Sequence, residues 1–323
     1  MALKAYWDQG IIVDYKGERL HLDPLNPKAS HLLISHAHSD HVHGFRARGS
    51  HQIYSTKATA AMFEAVSGKK PQAALKLTDY SERFKVGSFM VEVFNSGHIF
   101  GSAGFLVEAG GETLAYTGDL NFTDTVLTEA AQPVSCDTLI IEATYGSPAY
   151  NFPAREKIYR EIISWTIEKV KEGKIPAFYV YPVGKAQEII KLLNMYTELE
   201  VYVHHRIDRV NRVHGRFGVR LEAQPLEGKI SPSRCVIVYP RRLLGSLNIG
   251  SQAPALATGW AVRGKHIHQA FPLSSHADYS QLIEYVKACR PKQVYTCFGF
   301  DETLASALRR KLGVNARPLP ERT

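Results

Sequence analysis

Three imidazoles and a carboxylate crowd into six residues, His36-Ala37-His38-Ser39-Asp40-His41, directly after the apolar run His31-Leu32-Leu33-Ile34-Ser35. The run reads as a buried strand. Four such side chains held together at a strand end are unfavourable without a cation, because the imidazoles repel one another when protonated and lose hydration when neutral. The fold is therefore constrained to enclose a metal site at this point. In a loop turning off the strand, the spacing lets His36 and His38 face one ion while Asp40 and His41 face another.

Two more candidate ligands follow at predicted strand ends: His98 in Ser96-Gly97-His98 and Asp119 in Thr117-Gly118-Asp119. Glycine beside each permits close backbone approach or unusual dihedrals. One further histidine and one aspartate able to bridge would complete a two-metal site. Nitrogen and oxygen donors suit Zn²⁺ and also admit Mn²⁺. Two such ions would make water acidic enough to attack at neutral pH and would neutralise charge developing on a phosphate.

Apolar runs and alternations predict strands at 10–15, 19–22, 31–35, 89–95, 104–108, 113–117 and 138–142, a sheet-rich first part. From about 154 to 172 the apolar spacing turns helical. Strand 177–181, a helix over 185–196 and strand 200–204 then make a β-α-β unit. A helix over 280–289, strand 293–297 and a helix ending near Gly313 close the chain. The domain reading is 1–148 as the first part of a core, 149–250 as an inserted α/β module and 251–323 as the return to the core.

The net charge of +8 is unevenly spread. Residues 150–250 hold 17 Lys and Arg against 10 Asp and Glu, while the rest of the chain is nearly balanced at 22 against 21. A basic module beside a metal site suits an enzyme acting on a polyanion. Cys136, Cys235, Cys289 and Cys297 are scattered without C-x-x-C spacing, which speaks against a disulfide framework or a thiolate zinc site. The beginning of the sequence lacks a signal-peptide pattern and no apolar run reaches membrane-spanning length, so a cytoplasmic protein without membrane contact is expected.

Taken in order, Asp23, His36-x-His38-x-Asp40-His41, His98 and Asp119 resemble the metal motifs of the metallo-β-lactamase superfamily. Glu142-Ala143-Thr144-Tyr145-Gly146, Val183-Gly184-Lys185-Ala186-Gln187-Glu188 and Ser275-His276-Ala277-Asp278-Tyr279 resemble its β-CASP nuclease branch. Thr258-Gly259-Trp260 and Leu273-Ser274-Ser275-His276-Ala277-Asp278 look most like the ligase-associated DNA exonucleases, which are similar to Artemis-like DNA repair nucleases. The resemblance implies an α/β (α+β) fold, an αββα metallo-β-lactamase sandwich with an inserted α/β β-CASP cap. It implies a metal-dependent DNA exonuclease acting in DNA repair from 5′ to 3′, on single-stranded or frayed DNA held between core and cap. A functional link to an ATP-dependent DNA ligase and a helicase is implied as well. An RNA-processing β-CASP ribonuclease is the alternative, followed by a small-molecule metallo-hydrolase or an inactive nucleic-acid-binding subunit.

By the same resemblance Asp40, Glu142 and His276 are catalytic, and Asp23 and Glu142 fix loop and imidazole orientation. His276 is either a ligand of the second ion or the acid that protonates the leaving 3′ oxygen. Phe298 stands where many relatives have a ligating histidine, so the second of the two Zn²⁺ sites is expected to be the weaker. Ser275 stands where the nearest group often has aspartate.

Nucleic acid is expected at Arg206, Arg209, Arg212 and Arg216, which follow helical spacing beside Ile207, Val210 and Val213. Gly184 and Lys185 would open a helix whose amides cradle a phosphate. Tyr145, Tyr181 and Phe271 offer faces for base stacking, although core is the commoner place for such residues.

Overall fold

The computed structural model describes residues 3–322 apart from 228–233, 248 and 265. They form two compact units, Met1–Thr123 with Glu129–Pro148 and His276–Thr323, and Asp124–Thr128 with Ala149–Ser275.

In the first unit, one sheet runs in sequence order through β1 (Lys4–Trp7), β2 (Ile11–Tyr15), β3 (Glu18–Leu22), β4 (His31–Leu33), β5 (Gln52–Thr56) and β6 (Ala74–Thr78). A second sheet takes β7 (Arg83–Val86), β8 (Phe89–Asn95), β9 (Ala103–Ala109), β10 (Glu112–Tyr116) and β11 (Thr138–Glu142). Beside β11 it adds β18 (Gln293–Cys297) and β19 (Asn315–Pro318) from the far end of the sequence. The inner faces meet in a core that sets Ile11, Val13, Leu20, Leu22 and Leu33 against Val91, Phe105, Val107, Tyr116 and Ile140. On the outer face of the first sheet, Leu32, Ile34 and Ile53 pack on Ala60 and Phe63 of helix α1 (Lys57–Ser67). On the outer face of the second, Leu139, Ile141 and Val294 pack on α5 (Tyr279–Cys289) and α6 (Asp301–Leu312) through Leu282, Val286, Leu304 and Leu308. These four layers are the expected αββα sandwich. Alternate side chains of each strand serve opposite faces, which is why Leu32 and Leu33 belong to different cores.

The second unit is a parallel sheet ordered β14 (Gln224–Pro225), β13 (Glu200–Val203), β15 (Cys235–Pro240), β12 (Ile175–Val180), β16 (Gln252–Ala257) and β17 (Gln269–Phe271). All six residues of β12 are buried, as a central parallel strand requires. Helices α2 (Arg155–Lys171), α3 (Lys185–Tyr196) and α4 (His205–Arg216) contribute Ile158, Ile162, Ile189, Leu193 and Ile207 to the core on one face. The boundary drawn at Gly250 falls inside this sheet, because β16 pairs with β12 and β17 with β16. Gln-Ala-Pro-Ala-Leu-Ala is rich in residues depleted from strands, so its pairing partner, and not its propensity, makes it one. Among the described residues, no helix is long and apolar enough to cross a membrane.

Candidate metal centre

Strand ends of both sheets of the first unit deliver the site. His36 follows β4, His98 follows β8, Asp119 follows β10 and Glu142 ends β11. The two loops that carry His98 and Asp119 are tied together where the Asn121 amide donates to the Ser96 carbonyl at 3.0 Å. Gly97 and Gly118 both have positive φ, 71° and 58°. A side chain on Gly97 would run into the Asn121 carbonyl, and one on Gly118 would come within 2.8 Å of Ser35 Cβ. The glycines next to the ligands are therefore required by both dihedral and space.

Four donor atoms converge in the first group. His36 Nε2 lies 3.2 Å from His38 Nδ1, which lies 3.0 Å from His98 Nε2. Asp119 Oδ2 is 3.3 Å from His36 Nε2 and 3.5 Å from His98 Nε2. Tetrahedral donors at 2.0–2.1 Å from one zinc ion are about 3.3 Å apart, so this spacing fits a single small cation. His36, His98 and Asp119 are buried. Burial, then the neighbouring His276, holds the His98 imidazole well below its ordinary pKa and hence neutral. Burial alone would raise Asp119, yet His41, His36 and His276 outweigh it and keep its carboxyl well below the usual range. A neutral His98 beside an ionised Asp119, with donor atoms converging, is the state a metal requires of these two groups.

A second group, His41 with Asp40, forms on the other oxygen of the same carboxylate, while His276 approaches the first oxygen. His41 Nε2 is 3.7 Å from Asp119 Oδ1 and 3.7 Å from Asp40 Oδ2, and His276 Nε2 is 3.9 Å from Asp119 Oδ2. The Asp40 side chain is 74% exposed and forms the open side. Burial opposes protonation of His41, but Asp119 and Asp23 outweigh it and raise its pKa to about 10. The Phe298 ring stands edge-on to His41 with centroids 5.9 Å apart, putting an apolar ring where another donor could have stood.

Behind the donors, hydrogen bonds select the ring nitrogen that faces inward. Asp23 Oδ2 accepts from His41 Nδ1 at 2.8 Å, from Tyr116 Oη at 2.8 Å and from Ser35 Oγ, while Oδ1 accepts from the Ser35 amide at 2.7 Å. Ser35 Oγ in turn accepts from His36 Nδ1 at 2.9 Å, since its own proton goes to Asp23. Burial and the adjacent Asp23 hold the Tyr116 phenol well above its ordinary pKa, so it remains a donor. Glu142, fully buried, accepts from His276 Nδ1 at 2.9 Å and from the Leu120 amide at 2.6 Å. His36, His41 and His276 each turn Nε2 towards Asp119 in this way. The sequence reading missed Ser35 and Tyr116. Ser35 adjoins the first ligand and could have been suspected, whereas Tyr116 lies far from Asp23 along the chain and gives no local signal.

The residues expected to hold nucleic acid divide. Arg206, Arg209, Arg212 and Arg216 lie on α4 with exposed side chains, above buried Ile207, Val210 and Val213, and Arg212 is paired with Asp208 at 2.8 Å. Lys185 is buried, its Nζ donating to Ser275 Oγ at 3.1 Å. Burial lowers its pKa to about 8 against the opposing pull of Glu188. The Gly184 amide donates to Gln187 Oε1, the Ala186 amide to the Tyr181 carbonyl and the Glu188 amide to the Gly184 carbonyl. At the opening of α3 the Gly184 and Ala186 amides are thus taken internally, and the Lys185 ammonium packs inward. Tyr145 and Phe271 are buried, but Tyr181 is 50% exposed.

The family described as "Beta-lactamase superfamily domain" matches residues 5–172. The chain belongs to the metallo-β-lactamase superfamily. Its relatives in that superfamily include β-CASP-like nucleases. The chain is 30% identical over 290 residues to "Probable DNA ligase" of Opitutus terrae, a match covering 86% of this chain and 28% of that protein. It is 32% identical over 182 residues to "RNase J-like protein" of Methanocaldococcus jannaschii, covering 51% of this chain and 43% of that one. The chain thus spans less than half the length of either relative. A crystal structure of a protein of unknown function from Enterococcus faecalis shares the fold, with TM-score 0.68 and 12% identity over 98% of this chain and 97% of that one.

Proposed function

We propose that this metallo-β-lactamase superfamily member is a metal-dependent DNA exonuclease acting in DNA repair, working from a 5′ end. The observation that carries the DNA reading is the extent of the match to a protein named a DNA ligase, 86% of the chain and so more than the first unit alone, where the RNase J-like relative matches 51%. A nuclease in the same polypeptide as a ligase, or beside one, would trim ends before they are sealed. The matches to ribonucleases keep RNA as the second reading.

His36, His38, His98 and Asp119 would hold one Zn²⁺, and Asp40, His41 and the shared Asp119 a second, with Mn²⁺ as the other candidate. When bound, the ions supply Lewis acidity to the phosphodiester and make water acidic enough to attack at neutral pH. Asp23 and Ser35 keep His41 and His36 oriented. Glu142 holds the proton on His276 Nδ1, which leaves His276 Nε2 either to complete the second group or, when protonated, to deliver a proton to the leaving 3′ oxygen. Asp119 stays an anion throughout, held so by His41 and His36 against its burial.

The deciding experiment uses end-labelled DNA and RNA strands of one sequence, with and without a 5′ phosphate, and the protein loaded with Zn²⁺ or Mn²⁺. Mononucleotide release from 5′-labelled DNA, slowed when the 5′ phosphate is removed, is the expected result. Faster digestion of RNA would move the chain to the ribonuclease reading, and cleavage of circular strands at a comparable rate would reject exonuclease action. Arg209 and Arg216 would contact phosphates without reading sequence. Replacing either by Gln should weaken binding to all sequences and lower the slope of log affinity against log salt by about 0.7 on single strands.

A further inference from the structure

Strand register in the second unit brings four loops into one row at the carboxyl edge of its sheet. Val180 is level with Pro240 and Tyr179 with Leu256, so Tyr181 emerges between Arg241 and Thr258. Val203 is level with Val238, so the turn after β13 that opens α4, with Arg206 in its first turn, adjoins the loop after β15 on the other side. Neighbouring positions in such a row are about 4.8 Å apart. The chain leaves β12 through α3 towards β13 and leaves β16 towards β17, in opposite directions along the sheet. A crevice at the carboxyl ends of two strands whose connections diverge is the general ligand position in open α/β sheets.

Two aromatic rings stand exposed at this point. Tyr181 is 50% exposed, and Trp260, two residues past Thr258, is 40% exposed. Trp260 is propped edge-to-face by the buried Tyr150 ring, centroids 5.1 Å apart, which fixes its orientation while leaving surface to solvent. The charge around them has one sign. Loops 181–184, 204–206, 241–247 and 258–264 contain no Asp or Glu, and Arg206, Arg241, Arg242 and Arg263 make no ion pair among the described residues. The nearby acid on α4, Asp208, is taken by Arg212. Exposed rings beside unpaired guanidinium groups match a strand of nucleic acid, whose bases present flat faces and whose backbone presents one charge per residue.

We propose that this edge is a track for a single polynucleotide strand, with Tyr181 and Trp260 stacking on bases and Arg206, Arg241, Arg242 and Arg263 pairing with phosphates. It rests on the reading of the chain as a nuclease and lies wholly within the second unit. Because stacking needs unpaired bases, the track selects single strands over duplex.

The test measures anisotropy of a labelled oligo(dT) and of a duplex of equal length with the full chain, in chelator so that no cleavage occurs. Tyr181→Ala and Trp260→Ala should each weaken oligo(dT) binding by about tenfold, within the range for one stacked base, and change duplex binding much less. Trp260→Phe should retain most of the affinity, and thermal melts should confirm that all variants fold. Arg241→Gln and Arg263→Gln should each flatten the salt dependence by about 0.7 in slope. If the parent chain binds oligo(dT) and the two Ala variants bind it equally well, or lose strand and duplex alike, the track is overturned while the nuclease reading stands. If the parent chain binds neither nucleic acid, both fall.

Discussion

The two donor groups that share Asp119 differ in how tightly they are built. Around Oδ2, His36, His38 and His98 close to 3.0–3.5 Å from one another or from the carboxylate, inside the fold. On the Oδ1 side, His41 stands 3.7 Å from Oδ1 and 3.7 Å from Asp40, Asp40 is largely exposed and Phe298 occupies one flank. The first group is a preorganised cage, and the second needs an ion to draw it together. An ion in the second group must offset the cost of ordering Asp40, so it should bind more weakly and exchange with solvent more readily.

The largest effect expected is at the shared carboxylate. Asp119→Ala should release both ions and lower nuclease activity by about 10³-fold or more, the scale of losing several kcal/mol of charge stabilisation. Metal analysis alongside the rate measurement checks it, and retention of one ion at full occupancy would break the view that Asp119 belongs to both groups. Next is Asp23→Asn, which touches both groups through His41 and through Ser35 to His36. Both steps of a zinc titration should weaken, by about 10- to 100-fold. Glu142→Gln acts through His276, which is not one of the four donors of the tight group. It should cut activity by about tenfold while the tight first step of the titration stays in place, and a shift in that first step would show that the groups are not separable. Phe298→His is the smallest change and sharpens the comparison most. A donor restored beside His41 should tighten the second step by about tenfold and narrow the gap between the two.

How much of this was legible in the sequence depends on how local each cause is. His36, His38, Asp40 and His41 are visible because four ligand side chains in six residues have no economical apolar explanation. His98 and Asp119 are visible through their glycines, which the structure shows to be needed for φ and for clearance. Ser35 and Tyr116 escape notice because their role exists only once Asp23, distant in sequence, lies between them. The sandwich follows from the strand patterns, but α1 went unread, although its capping Thr56 and its closing Gly68 both stand in the sequence. Lys185 misleads in the opposite direction. A lysine opening a helix suggests a phosphate, and only the packing of the second unit turns its ammonium inward to Ser275.

The pairing of β11 with β18 joins residues 138–142 to residues 293–297 in one parallel ladder. During synthesis β11 emerges with Leu139, Ile140 and Ile141 in place and one edge bare, and that edge stays bare until nearly the whole chain has been made. An apolar strand with an open edge recruits other chains, so the nascent protein has a long interval of exposure to aggregation. The intervening second unit shortens that search if it folds first, because its compact form brings residues 149 and 275 under restraint before β18 arrives. One step is fixed by the connectivity: the second sheet closes only after the insertion has been made, and His276 can reach Glu142 no earlier.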